Sequence, residues 1–300
     1  MTVRSIWAFI RLTRPIFLLG GALLYVMGVV MAARRGVPIR LSLALLGQVM
    51  VTAIQLMAHY ANEYYDVASD RLNSQRTWFS GGSGVLAAGE LKREVARRAS
   101  HAAGLVGAVA IVAVIIQSPI TGILGLVSLL GAWFYSAPPF ALMSSGWGEL
   151  STSLIVALLT PLTGFVLQAG YIDAQVLVVC APLVMIHLAM LITFEFPDWE
   201  ADTAAGKQTL VVRLGRDRAA FVHAVLIAFA TIWLMAVSLS WSPARYVWLT
   251  MPLAACQALS LGWRARHGWS GLPLLTLGAV SLFVLPSALW LLGWLTLQMP

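Results

Sequence analysis

Nine stretches of this sequence are long and apolar enough to cross a bilayer, and they dictate the kind of fold it can adopt. They run near residues 16–33, 42–62, 97–117, 119–136, 149–169, 174–196, 218–239, 244–262 and 273–297, each close to the roughly 20 residues that a helix needs to span hydrocarbon. Backbone groups inside a bilayer must satisfy their own hydrogen bonds, so such stretches form helices. The 300 residues are 60% hydrophobic and only 10% charged, against about 25% charged in a soluble domain. A soluble chain of this composition would expose wide apolar patches and aggregate. The expectation is an all-α integral membrane protein, folded as one membrane-embedded unit over residues 1–300.

The first apolar run exceeds the core of a cleavable signal, so no removed segment is expected. Only Gln117, Ser118 and Pro119 separate the third run from the fourth, which predicts a tight helical hairpin. Cys180 and Cys256 lie inside apolar runs and are expected to pack rather than to form a disulfide or hold a metal. The net charge is +7, yet there is no basic arm, zinc-finger spacing or RNA-binding signature, which argues against a nucleic-acid partner. With a cytoplasmic N-terminus, all but Arg34, Arg35, Arg40 and Arg245 of the 19 Lys and Arg fall on the cytoplasmic side, as the positive-inside bias requires.

The acids segregate more sharply. Of the 12 Asp and Glu, only Asp173 falls on the outer side. Acidic residues contribute little to topology, so their segregation needs another cause. A transporter or channel would place key charges near the midplane, with internal repeats and broken helices. Acids gathered at one surface point instead to a site facing the cytoplasm.

Two segments carry the chemistry. After the second run, Asn62, Asp66 and Asp70 recur every four residues, which stacks them on one helix face. Carboxylates stacked in this way repel each other, and a bridging divalent cation removes that cost. Two carboxylates and an amide oxygen suit Mg²⁺, whose shell is usually completed by water and substrate phosphates. After the sixth run, Asp198 and Asp202 repeat the spacing, with Glu195 one turn earlier and Pro197 expected to kink or restart the helix. Lys207 and Arg213 follow, with Gly206 and Thr209 allowing close approach to an anion. Two carboxylate pairs with basic residues on one face suit a metal-bound diphosphate, and with it ionisation of an allylic diphosphate. A single D-x-x-x-D is commonly just a solvated helix face; two on the same side of a chain this poor in acids are not.

These motifs, N-x-x-x-D-x-x-x-D and then D-x-x-x-D followed by G-K-x-T-L-x-V-R-L-G, resemble those of the UbiA superfamily of intramembrane prenyltransferases over essentially the whole chain. The resemblance implies nine transmembrane helices forming a barrel around a lipid-facing cavity, capped by cytoplasmic loops in the inner or plasma membrane. It implies Mg²⁺, two ions, with Asn62, Asp66 and Asp70 holding one and Asp198 and Asp202 the other. Lys207 would contact the diphosphate, as would the basic residues Arg14, Arg76 and Arg213. The partners implied are a prenyl diphosphate, an aromatic lipophilic acceptor and membrane lipid. Phe79–Leu91 and Phe134–Leu150 resemble the 1,4-dihydroxy-2-naphthoate branch of menaquinone synthesis, with Tyr135, Ser136 and Glu195 in the acceptor pocket. The usual Asn-Asp opening is Asn62-Glu63 here, and Glu63 points to another helix face from Asp66. A 4-hydroxybenzoate or other lipophilic-acceptor transferase, and a membrane terpene cyclase, are the alternative readings.

Arg14 could also anchor its helix at the interface, and Tyr135 and Ser136 could simply cap the fourth span. Gly81, Gly82 and Gly84 permit a loop that folds over substrate. His59 and His187 have no metal-ligand spacing and are expected to pack as hydrogen-bonded groups.

Overall fold

The computed structural model describes residues 3–240 and 242–296, with the side chains of 240 and 242–245 excepted. Residue 297, the end of the ninth apolar run, and the Arg245 side chain lie outside that description. Among the described residues the structure is helical and contains no strand. An N-terminal helix α1 (Val3–Leu12) leads through a left-handed Arg14 into α2 (Pro15–Arg34), and α3 covers Leu41–Leu72. Next come α4 (Arg93–Gln117) and α5 (Pro119–Ser136), joined through Ser118, whose hydroxyl hydrogen-bonds Thr121 Oγ1 at 2.8 Å. The expected hairpin is present.

The fifth apolar run is one continuous rod in three pieces, α6 (Gly148–Leu154), a π-helical turn (Ile155–Leu159) and α7 (Thr160–Ala169). α8 covers Ala174–Ala204, α9 Leu210–Leu214, α10 Arg216–Ser240, α11 Met251–His267 and α12 Leu272–Thr296. α8 continues through Pro197 rather than restarting there, since a proline inside a membrane helix forfeits one hydrogen bond and neighbouring helices support the rest.

Eight of the described helices are long and apolar enough to cross a membrane. The run expected near 244–262 is divided, with 3-10 turns over Ser242–Thr250 and only 17 residues of α-helix after them. Wide apolar faces look outward, as along α4, where Leu105, Val109, Val112 and Ile116 are all exposed. The bundle closes because α12 packs on α2, α8 on α10 and α12, and α3 on α4 and α5. α2 and α7 approach so closely that a Cβ on Gly28 would strike the Pro161 carbonyl, the small-residue contact that membrane helices use in place of a hydrophobic driving force.

Two helix lengths position the site. At about 1.5 Å per residue, α3 with 32 residues and α8 with 31 exceed the roughly 30 Å of hydrocarbon. Their final turns therefore rise past the apolar layer, and those turns carry the two acidic motifs.

Candidate functional site

α3 and α8 finish side by side, and Lys207 joins them. Its Nζ contacts Asp66 Oδ1 from the first motif and Asp202 Oδ1, at 3.2 Å, from the second. Burial alone would lower the Lys207 pKa, but the Asp66 and Asp202 carboxylates more than offset that and hold it above the ordinary lysine value. The stability this charge contributes is therefore present below the ordinary lysine value and is lost only as pH rises through the raised one. Within the first motif, Asn62 Nδ2 donates to Asp66 Oδ2 at 3.0 Å. The stacking read from the spacing is present in α3.

The segment after α3 stitches the motifs together. Asn73 Nδ2 donates to Asp198 Oδ1 at 2.6 Å, and the Gly81 amide donates to Asp198 Oδ2 at 3.1 Å. Gly81, Gly82 and Gly84 all have φ near +70 to +80°, the left-handed region that favours glycine. A Cβ on Gly82 would strike the Asp70 carboxylate. Glu63, fully buried, turns away from Asp66 as its helix position requires. It accepts the Ser83 amide at 2.5 Å and the Ser83 hydroxyl at 2.7 Å. The glycine segment is thus pinned at Ser83 and at Asp198.

These groups wall a cavity of about 260 Å³. Asn62, Asp66, Asp70, Asp198, Asp202 and Lys207 all line it, as do Arg14, Tyr135 and Glu195. Arg14 donates to the Phe79 carbonyl at 3.1 Å and its guanidinium lies 4.6 Å over the Phe17 ring. Phe79 stacks on Phe194 at 6.0 Å, and with Phe17, Ile54 and Leu191 they make the wall largely apolar.

Three expected site residues lie off this wall. Arg76 donates to the Asp70 carbonyl at 3.3 Å from an exposed position, and Arg213 to the Ser145 carbonyl at 3.2 Å, because α9 turns that side chain outward. Ser136 is buried at the end of α5, away from the cavity. His59 and His187 pack as expected, on the Thr13 carbonyl at 2.9 Å and the Ser153 hydroxyl at 3.0 Å.

Two groups escaped the sequence reading, Asn73 and Glu149. Asn73 reaches Asp198 in α8 from the segment after α3, a contact that no local pattern shows. Glu149 lines the cavity and accepts the Leu210 amide at 2.8 Å. Its signal was available, since a lone acid at the mouth of an apolar run is a functional flag.

The donor set fits Mg²⁺. Among the described residues no three acidic, His or Cys groups converge on one point as an all-protein cage, and Mg²⁺ does not need one. It takes one or two carboxylates and completes its shell with water and phosphate. A cationic ammonium already sits between carboxylates of the two motifs.

The UbiA prenyltransferase family model matches residues 22–273. Two 1,4-dihydroxy-2-naphthoate octaprenyltransferases are similar, from Haemophilus influenzae (30% identical over 45% of this chain and 45% of that protein) and Bacillus subtilis (24% identical, 66% and 64%). The matched part spans less than two thirds of either relative's length. A UbiA homolog from Archaeoglobus fulgidus bound to DMAPP and Mg²⁺ shares the fold at TM-score 0.66 and 19% identity, over 96% of this chain and 99% of that one. The apo UbiA homolog from Aeropyrum pernix K1 does so at 0.68 and 15%, over 92% and 95%.

Proposed function

This chain belongs to the UbiA prenyltransferase family, and from that premise we propose that it transfers a prenyl group from a prenyl diphosphate to an aromatic acceptor. The names of the two naphthoate octaprenyltransferases favour 1,4-dihydroxy-2-naphthoate as that acceptor, on the route to menaquinone. The single observation that carries the reading is the convergence of both acidic motifs and Lys207 on one largely apolar cavity.

In this reading Asn62, Asp66 and Asp70 would hold one Mg²⁺, and Asp198 and Asp202 a second. The bound ions would neutralise the charge that collects on the departing diphosphate. Lys207 and Arg14 supply the protein's own cations on the same wall. The loop amide of Gly81 and the Asn73 carboxamide hold Asp198 in one orientation, so the site needs little reorganisation as charge develops. The Phe17, Phe79 and Phe194 rings exclude water from the allylic carbon while the acceptor ring attacks it. We place the N-terminus and this cavity on the cytoplasmic side, from the Lys and Arg bias. We further infer that residues 242–267 make a ninth crossing by joining their 3-10 and α-helical parts.

The test is a transfer assay on detergent-purified protein with geranylgeranyl diphosphate. It is run with 1,4-dihydroxy-2-naphthoate, with 4-hydroxybenzoate or with no acceptor, each in Mg²⁺ and in EDTA. Mg²⁺-dependent prenyl-naphthoate is the expected product. Prenylated hydroxybenzoate would move the acceptor, a cyclic hydrocarbon made without acceptor would replace transfer by cyclisation, and no diphosphate release would overturn the reading.

A further inference from the structure

α1 presents two opposite faces. On one, Ala8 and Leu12 are buried in a cluster with Tyr60 of α3, Val85 and Leu86 beyond the glycine segment, and Ala96 of α4. The Phe9 ring stacks on Tyr60 at 5.7 Å. On the other, Val3, Ile6, Trp7 and Ile10 recur at i, i+3, i+4 and i+7, which puts them on one side of the helix. That side is turned away from the bundle, with Val3 84% and Trp7 62% exposed. A contiguous apolar face of this kind on a surface helix marks an interaction site. Arg4 and Arg11 border it on the edge next to Trp7.

The chain itself fixes the depth at which this face lies. Only Thr13 and Arg14 separate α1 from α2, the first spanning helix, and the three steps from Leu12 to Pro15 reach about 10 Å at most. Ile16 and Leu19, at the start of α2, are already exposed apolar groups. The junction is tied down as well, because the Thr13 carbonyl meets His59 Nδ1 at 2.9 Å and Arg14 donates to the Phe79 carbonyl. α1 is therefore held at the membrane boundary, at the end of the bundle that carries the acidic motifs.

Basic residues surround it there. Arg11 pairs with Glu90 and Arg97 with Glu94, the latter at 2.7 Å. Arg93 donates to the Tyr64 carbonyl at 2.8 Å and its guanidinium lies 4.0 Å over the Tyr64 ring. Arg4, Lys92 and Arg98 are exposed and form no ion pair among the described residues. The collar around α1 is thus left positive, beside an apolar face at the level of the lipid headgroups.

We propose that α1 is an interfacial anchor that docks on the anionic lipid surface of its leaflet. Val3, Ile6, Trp7 and Ile10 enter the boundary between headgroups and acyl chains, and Arg4, Lys92 and Arg98 take lipid phosphates. A helix with Trp and aliphatic residues on one side and basic residues at its border suits that boundary, and long basic side chains reach headgroups from beside an apolar face. A soluble protein partner would have to displace lipid from a face only about 10 Å from a spanning helix. The inference needs only that the bundle crosses a membrane, and stands apart from the transfer reading.

The experiment places a nitroxide at residue 7 by Trp7→Cys, with the exposed Cys256 replaced by serine, in vesicles of phosphatidylcholine and phosphatidylglycerol. Oxygen should reach the label more readily than a water-soluble nickel chelate does. The reverse order would overturn the proposal and leave the face to a protein partner. If Trp7→Cys does not purify as a monodisperse protein, Ile10→Cys carries the same comparison. Spin-labelled phosphatidylglycerol should then be enriched at the native protein over spin-labelled phosphatidylcholine by about fivefold, the worth of one basic residue near an anionic surface. The triple variant Arg4→Gln, Lys92→Gln, Arg98→Gln should lose most of that enrichment, and undiminished enrichment would overturn the phosphate contacts. Both readouts are position and lipid selectivity rather than turnover, so a failure of the transfer reading leaves them unchanged.

Discussion

Where α2 ends and α8 begins, Arg35 meets Asp173 at 2.8 Å, and the Arg40 amide donates to Gln168 Oε1 at 2.9 Å. Asp173 there has one arginine partner, and the Arg40 guanidinium donates to the Leu167 carbonyl at 3.4 Å. At the opposite end Asp66, Asp70, Glu149, Glu195, Asp198 and Asp202 line one cavity with only Lys207 and Arg14 as cations. The same chain, with few charges to distribute, sets a single acid among arginines at one end and gathers an excess of acids around a cavity at the other. A buried excess is costly unless something compensates it, so the imbalance is what marks the site. The far end ties α2 to α8; the near end gathers its acids around one cavity.

The largest effect that would sharpen this contrast is at the acidic motifs. Asp66→Ala or Asp198→Ala should lower prenyl transfer by about a hundredfold to a thousandfold, while membrane insertion and elution from a sizing column stay native. Full activity in either would erase the functional difference between the ends. Next comes Lys207→Met. It removes the cation shared by Asp66 and Asp202, and kcat/KM for the prenyl diphosphate should fall by about tenfold to a hundredfold, read by steady-state kinetics at saturating acceptor.

Smaller again is Glu63→Ala, which strands the Ser83 amide and frees the glycine segment. A thermal melt in detergent should register a loss of about 1–3 kcal/mol, with reduced activity because Gly81 no longer holds Asp198 steadily. The smallest effect belongs to the far end. The Arg35–Asp173 pair is partly exposed, so Arg35→Ala should cost about 1 kcal/mol or less and leave turnover unchanged. An activity loss there comparable to that of Lys207→Met would break the comparison.

Much of this molecule is legible in local pattern. The apolar runs mark the helices, the i, i+4 spacing places Asn62, Asp66 and Asp70 on one face, and the Gln117–Pro119 break gives the hairpin. Those features depend on residues a few positions apart, which sequence displays directly. Arg76 and Arg213 show the limit, because nearness to a motif in sequence does not reveal that their guanidinium groups bond the Asp70 and Ser145 carbonyls. Pro197 shows another, since context carried the helix through it.

The sequence by itself determined that this chain is a helical membrane protein and which turns of α3 and α8 bear acids. Only the tertiary structure decided that Lys207 bridges the two motifs, that Asn73 and Gly81 grip Asp198 from 125 and 117 residues away, and that Glu149 meets Glu195. Periodicity is a property of one helix. The meeting of two helices depends on which faces pack, how long each rod is and where a loop is pinned, and no single segment contains that information.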